Sequence, residues 1–482
     1  MKQKILFVGT EAMPFAATGG LGDVLGSLPA KIKACDPEKY DVRVVMPLYG
    51  VINRSEYDGL HLIKEINVPL AWRNLFCGIW EYHKDDVVFY FLDNEYFFKR
   101  PDIYGNYDDG ERFAFFSAAV LQMLAHLDFY PDILHAHDWQ SALSVIYLKR
   151  RYSHIAEYAK IKAVYTIHNI EYQGKYDFSI LGDVFALESS DKGIVEYNGC
   201  INLMKGAIIC ADQVTTVSPT YAQELKSPEF AHGLDPVLRE IDYKLTGILN
   251  GIDTVYYNPA QDKNIFKTYS SSTIQNKAQN KCEFQKMVGL PVNESIPMYA
   301  IISRLVAHKG IDLVELMVER LLEQNVQLVI LGKGDIFYEN FFVSLQNNYP
   351  SKVVALMVYN RDLSKKVYAA ADLFIMPSKS EPCGLSQMIA SRYGAVPICR
   401  ETGGLYDSIK GYYEKGGKVF GNGFTFANYN ADELYDRCNA AYQLYTEKEK
   451  WQKLVKKVML TDFSWQTQGL KYIKLYESLL EV

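Results

Sequence analysis

The chain has 482 residues, 49% of them hydrophobic, enough to bury two or three domain cores. A formal charge of −6 argues against nucleic acid or an anionic membrane as the main partner, although an acidic protein can still carry a locally basic cleft. The eight cysteines stand singly, with no C-x-x-C pair, which points to a reducing compartment and away from a disulfide framework or a zinc site.

Ile5-Leu6-Phe7-Val8 reads as a buried strand, and Leu21, Val24, Leu25 and Leu28 as the apolar stripe of a helix. Between them lies Thr18-Gly19-Gly20-Leu21-Gly22-Asp23. A strand, a glycine-rich loop and a helix start form an anion cradle, because glycines admit a phosphate to the backbone and the helix N-terminus favours negative charge. An ordinary tight loop has the same pattern, so the rest of the chain must decide. The apolar run before Glu11 is too short for a signal peptide, and no segment approaches the ~20 apolar residues of a membrane span. The expected location is the cytoplasm.

Strands are expected at 42–46, 87–92, 132–135, 162–167 and 213–217, with helices at 21–33, 111–127, 138–150 and 200–210. The polar, weakly periodic stretch 253–296 reads as a linker. Alternation restarts with strands near 298–303, 326–331, 353–358, 372–376 and 395–399 and helices at 310–323, 335–347, 362–371, 384–393 and 431–446. Short, wholly apolar strands separated by helices mean parallel sheets covered on both faces. The expected fold is α/β, with two Rossmann-like doubly wound domains, 1–252 and 253–463, facing across a cleft. A helical tail at 464–482 follows.

Ligands of open parallel sheets bind beyond the carboxyl ends of the strands. Polar groups crowd such ends here: His135-Ala-His137-Asp138-Trp139, Thr166-Ile-His168-Asn169, Ser303-Arg304 with His308-Lys309-Gly310, Gly332-Lys-Gly334, Ser378-Lys-Ser-Glu381 and Gly403-Gly404. Arg304 and Lys309, five residues apart, can both address one diphosphate or be stray charges of a solvated loop. No D-x-D pair offers a carboxylate-held metal, so cationic side chains and helix ends must neutralise any phosphate. Glu381, before Pro382, reads as the opening of a helix or as an acceptor for sugar hydroxyls. His135 and His137 share a strand face but lack a third metal ligand. His168 is a donor to substrate or a core histidine. Trp139 and Tyr359 are stacking platforms or core aromatics. A nicotinamide enzyme is excluded, because the glycines are not spaced G-x-G-x-x-G and the second strand ends Val44-Val45-Met46-Pro47 without an acidic residue.

Seven blocks in order resemble the bacterial glycogen synthase and starch synthase family: Thr18–Asp23, His135–Trp139, Thr166–Ile170, Gly247–Asp253, Ser303–Gly310, Pro377–Leu385 and Thr402–Leu405. The resemblance runs nearly end to end and implies a GT-B glycosyltransferase. Such an enzyme transfers α-glucose from ADP-glucose to the non-reducing end of an α-1,4-glucan such as glycogen, with retention and without a cofactor or metal. It implies that Arg304 and Lys309 bind the donor diphosphate. Thr18, Gly19, Gly20 and Asp23 would contact the donor, and Tyr359 would stack on its adenine. Glu381 with Cys383, Gly384 and Leu385 would hold the glucosyl group and distal phosphate, and His168 and Asn250 would lie against the glucosyl hydroxyls. Asp138, Trp139 and Asn169 would serve the acceptor. The closing helix would cross back onto the first domain.

Two departures stand out. Ala17 occupies the position before Thr-Gly-Gly where the family usually has Lys, and Lys379-Ser380 stand where many relatives have Arg and an aromatic. Retention without two carboxylates beside the anomeric carbon implies front-side transfer rather than double displacement. A UDP-glucose-using synthase and a non-catalytic glucan-binding relative are the alternatives. A pyridoxal-phosphate phosphorylase has no supporting block.

Overall fold

In the computed structural model, which describes residues 2–481, the opening apolar run is a strand, β1 (Gln3–Val8), whose last four residues are buried on both faces. The chain divides into two compact units, Met1–Gly251 with Trp465–Val482, and Ile252–Ser464. In the first, β1 leads through a long loop to α1 (Gly20–Cys35) and then to β2 (Tyr40–Pro47). An antiparallel meander follows, made of β3 (His61–Leu70), β4 (Arg73–Lys84) and β5 (Val87–Asp93). Helix α2 (Asp109–His126), buried nearly all round, returns the chain to β6 (Ile133–His137). Then come α3 (Ala142–Arg150), β7 (Lys162–Ile167), α4 (Leu203–Cys210), β8 (Gln213–Thr216) and β9 (Leu245–Gly247). The strand order is β9-β8-β7-β6-β1-β2-β5-β4-β3, parallel from β9 to β5.

The β3–β4 hairpin was not among the strands expected from sequence. Its two-residue turn, Ala71-Trp72, contains no Asn or Gly, although Ala71 adopts φ +51, so the usual local signal is missing. In β3, only Ile66, Val68 and Leu70 are buried, an alternation confined to one end of the strand.

The second unit begins with α5 (Lys277–Val288), then β10 (Met298–Ile302), α6 (Ile311–Leu322), β11 (Gln327–Leu331), α7 (Ile336–Asn348) and β12 (Val353–Leu356). It continues through α8 (Arg361–Ala370), β13 (Leu373–Met376), α9 (Ser386–Arg392), β14 (Val396–Arg400), α10 (Gly403–Ser408) and β15 (Phe424–Phe426). Helices α11 (Ala431–Thr446) and α12 (Lys448–Leu460) complete it. The sheet is parallel throughout, in the order β12-β11-β10-β13-β14-β15. The last helix, α13 (Trp465–Leu480), belongs to the first unit, where Glu477 accepts hydrogen bonds from Lys39 (2.5 Å) and Tyr40 (3.0 Å).

Both sheets are doubly wound. Each starts in the middle, grows to one side, and then crosses to the other, so the order reverses between β1 and β6 and between β10 and β13. Those are the switch points where a crevice opens above the carboxyl ends.

Helix α5 falls inside the stretch that reads as a linker. Its buried positions are Lys277, Asn280, Lys281, Phe284 and Gln285, helically spaced but mostly polar. Lys277 Nζ donates to the carbonyls of Tyr368 (3.1 Å), Ala369 (2.9 Å) and Tyr393 (2.9 Å), tying down the ends of α8 and α9. Lys281 pairs with Asp372 at 2.5 Å. Replacing Lys277 by Met removes three buried hydrogen bonds, although the Tyr393 carbonyl keeps the Tyr269 hydroxyl (2.7 Å), and should cost about 2–4 kcal/mol. Urea denaturation of Lys277→Met checks this; an unchanged midpoint would show that the carbonyls find other donors.

Candidate functional site

The glycine loop after β1 is held by an acid, Glu11, that is not among the residues expected at the site. The carboxylate of Glu11, buried, accepts from the Thr18 N–H (2.6 Å), the Gly19 N–H (3.1 Å) and the Thr18 hydroxyl (2.9 Å). The anion cradle expected at these residues is therefore already filled by the chain's own carboxylate, and no phosphate can take the Thr18 and Gly19 N–H groups while Glu11 stays. The glycines serve packing as well: a Cβ on Gly22 would lie 2.3 Å from the Cβ of Ala17, so the returning loop rests directly on α1. Gly19 has open space around it, Gly20 opens the helix, and Asp23 is the acidic residue of its first turn. The one sign of Glu11 in the sequence is its place three residues beyond a strand's carboxyl end.

At the neighbouring ends of β6 and β7 the polar residues bind one another. Asp138, at φ +56, uses one carboxylate oxygen to accept from the backbone N–H groups of His168 (2.8 Å) and Asn169 (3.3 Å). It thus holds the loop that carries His168 instead of standing free. Trp139 is only 9% exposed and packs its ring edge-on against Phe113 at 5.4 Å. This corrects the expectation of an open acceptor platform: the indole underlies the site and is core packing. Both ring nitrogens of His135 are engaged, with the Tyr476 hydroxyl (2.7 Å) and the Thr166 hydroxyl (2.5 Å). His137 Nδ1 lies 2.9 Å from His168 Nε2. Beyond β9, Asn250 is 3% exposed and its Oδ1 has no hydrogen-bond partner among the described residues.

In the second unit the loops after β10 and β13 meet. Lys309 forms an ion pair with Glu381 at 2.7 Å, and the same carboxylate oxygen accepts from the Ser378 hydroxyl at 3.0 Å. The backbone reinforces the pair, because the Lys379 N–H donates to the His308 carbonyl (2.9 Å). Gly310 allows this approach: at φ +75 it is in the left-handed region, and a Cβ there would fall 2.2 Å from the Pro377 carbonyl oxygen. Glu381 does not open a helix as its place before Pro382 suggested, since α9 starts only at Ser386. The intervening turn through Cys383, Gly384 and Leu385 is fastened by Gln387 Nε2, which donates to the carbonyls of Cys383 (3.1 Å) and Gly384 (2.8 Å). Gly404 of the second Thr-Gly-Gly run donates to the Glu381 carbonyl at 3.1 Å. Arg304 is exposed and has no ion-pair partner among the described residues. Tyr359 is 70% exposed, its hydroxyl 3.4 Å from Arg361 Nε.

Burial sets the charge state around β6 and β7. It pushes His168 down to about 3 and His135 and His137 well below the ordinary histidine range, so all three rings are neutral at physiological pH. Burial also raises Asp138 to about 7, against the pull of the His168 and Asn169 N–H groups. No group of three or more His, Cys, Asp or Glu residues that could hold a metal ion is found among the described residues.

Residues 4–240 match the starch synthase catalytic domain and residues 285–458 the glycosyl transferases group 1. The chain is 45% identical over 479 residues to a glycogen synthase of Bacillus cereus (strain B4264), covering 99% of this chain and 100% of that protein. It is 47% identical to a glycogen synthase of Clostridium beijerinckii, covering 99% of each. The structure matches the catalytic domain of starch synthase IV from Arabidopsis thaliana bound to ADP and acarbose, with a TM-score of 0.92, 34% identity and full coverage of both chains. It shares its fold with a sucrose-phosphate synthase of Thermosynechococcus elongatus at a TM-score of 0.62 and 15% identity.

The raised pKa of Asp138 has a definite sign. The folded state holds this proton more tightly than the unfolded chain, so the contribution is complete below the ordinary carboxylate value and is lost as pH rises through about 7. Asp138→Asn keeps the oxygen acceptor and removes the ionisation. Its stability relative to wild type should therefore climb between pH 4 and pH 8, by something on the order of 4 kcal/mol. Parallel stability–pH curves from urea denaturation would show that the carboxylate ionises without cost.

Proposed function

The chain belongs to the glycogen synthase and starch synthase family, glycosyltransferases of the GT-B fold, and from that premise we propose that its donor is ADP-glucose. In this reading it transfers α-glucosyl units to the non-reducing end of an α-1,4-glucan, retaining the anomeric configuration and releasing ADP. The observation that carries the proposal is the arrangement at the end of β10, where an unpaired Arg304 accompanies a Lys309 already oriented by Glu381. An ammonium has three donors, and Glu381 takes one, leaving two for phosphate oxygens. The second carboxylate oxygen of Glu381 is left for a sugar hydroxyl. The buried, unpartnered Oδ1 of Asn250 is an acceptor of the kind a glucosyl hydroxyl satisfies.

The chemistry then follows from charge. As the bond between the anomeric carbon and the distal phosphate oxygen lengthens, negative charge grows on the diphosphate, and Arg304 and Lys309 stabilise it. The same phosphate takes the proton of the acceptor hydroxyl, which attacks from the face that the leaving group vacates. Glu381 is committed to Lys309 and Ser378, a role in holding the donor site that does not suit a nucleophile. Catalysis is positional and electrostatic. Two observations support an active enzyme over a non-catalytic relative: Arg304, Lys309 and Glu381 are all present, and the position of Ala17 is used for packing on Gly22. The exposed ring of Tyr359 is the proposed platform for the adenine.

Arg304→Ala and Lys309→Ala should each lower kcat by about 10²–10³-fold; the exposed Arg304 should leave the unfolding midpoint unchanged, whereas Lys309→Ala also unpairs the buried Glu381 and should lower it. ADP release from ADP-glucose in the presence of glycogen measures this, and near-normal turnover of either variant would discard the assignment. Initial rates with ADP-glucose and UDP-glucose compared side by side test the donor base, and a faster rate with UDP-glucose would overturn the choice of ADP.

A further inference from the structure

His168 carries more information than its position alone. Its Nε2 faces His137 Nδ1 at 2.9 Å, and between two neutral imidazole nitrogens one must donate and the other accept. Desolvation by the surrounding protein keeps both rings neutral, His137 being buried and His168 partly so. The direction of the bond is decided at the far side of His137, where Nε2 is buried without a hydrogen-bond partner among the described residues. That ring lies between aromatic faces, with the His135 centroid at 4.2 Å and that of Phe7, stacked, at 5.9 Å. A buried N–H with no acceptor is costlier and rarer than a lone pair with no donor. His137 therefore keeps its proton on Nδ1 and gives that hydrogen bond to His168 Nε2. His168 Nε2 is then the acceptor, and the proton of this neutral ring must sit on Nδ1.

We propose that His137 is a positioning residue that fixes His168 as its Nδ1–H tautomer, so that His168 offers a ligand an N–H donor and not a lone pair. The surroundings hold both rings for this purpose. The His137 N–H donates to Ser141 Oγ and its carbonyl accepts from the same hydroxyl, each at 2.7 Å. The backbone of His168 is anchored on Asp138. His168 is partly exposed, and its Nδ1 makes no hydrogen bond among the described residues, which leaves that N–H for a ligand oxygen. The proposal deepens the reading of His168 as a contact to the donor's glucosyl hydroxyls and rests on it for the identity of that ligand.

Side-chain ¹⁵N spectra of the full chain labelled at histidine, recorded without sugar nucleotide, test the tautomer directly. The His168 signals are identified by their loss in His168→Gln. Wild type should show His168 with Nδ1 protonated and Nε2 bare. His137→Phe removes the donor, and the Nε2–H form should then appear. His137→Asn places an amide N–H near the position of Nδ1 and should restore the wild-type pattern. In the transfer assay His137→Phe should lower kcat/KM for ADP-glucose by about 10-fold, and His137→Asn should recover most of it. A protonated Nε2 in wild-type His168, or a tautomer unchanged in His137→Phe, would overturn the proposal. The wild-type spectrum decides even if a variant fails to fold. The expected tautomer in a protein that does not use ADP-glucose would count against the donor reading and leave the relay intact.

Discussion

A parallel sheet wound outward in both directions from a central strand leaves its helices on opposite faces, and above that strand the two connecting loops must part. Everything functional in this chain depends on that constraint. In the first unit the parting lies over β1 and β6, where Glu11, Thr18, His137 and Asp138 collect. In the second it lies over β10 and β13, where Arg304, Lys309, Ser378 and Glu381 collect. Strand hydrogen bonds satisfy the backbone up to the last residue of each strand. Just beyond, the N–H and C=O groups need partners, and side chains that supply them become fixed in place.

Carboxylates do most of that fixing. Glu11 holds the Thr18–Gly19 turn, Asp138 holds the His168–Asn169 turn, and Glu381 holds Lys309. Hydrogen bonds to an ionised acceptor are among the stronger ones, and Asp138, which burial raises to about 7, reaches that strength only as it ionises. Each carboxylate also lowers the positive field that a phosphate would meet. In the second unit Arg304 offsets this, being exposed and outside any such pair. In the first unit Ala17 supplies no cation beside Glu11. Among the described residues, the exposed cation that stands at these strand ends outside a carboxylate pair is thus Arg304.

Neutral histidines complete the division of labour. His135 and His137 lie in β6 and His168 directly after β7, and desolvation removes their capacity to carry charge. Their contribution is directional hydrogen bonding. It extends to α13 through the Tyr476 hydroxyl on His135, so the last helix of the chain is tied by a polar contact to the same strand end that supports His168.

The amino-acid sequence by itself determined the α/β class, the alternation in each half and the loops that matter, because apolar strands buried on both faces announce themselves as runs and glycines mark the turns after them. It also determined that Arg304, Lys309 and Glu381 stand at strand ends. It did not reveal α5, whose buried face is made of Lys277, Asn280, Lys281 and Gln285, since periodicity is read from hydrophobic residues and this helix is held by hydrogen bonds. Nor did it reveal the β3–β4 hairpin, whose turn lacks Asn and Gly. Only the tertiary structure decided partners: that Glu11 fills the glycine loop, that Lys309 belongs to Glu381 across 72 residues, that Trp139 lies in the core, and that His137 addresses His168. Residue type and local spacing fix which chemistry a strand end can offer, but the strand order chooses which ends become neighbours, and a hydrogen bond exists only between neighbours.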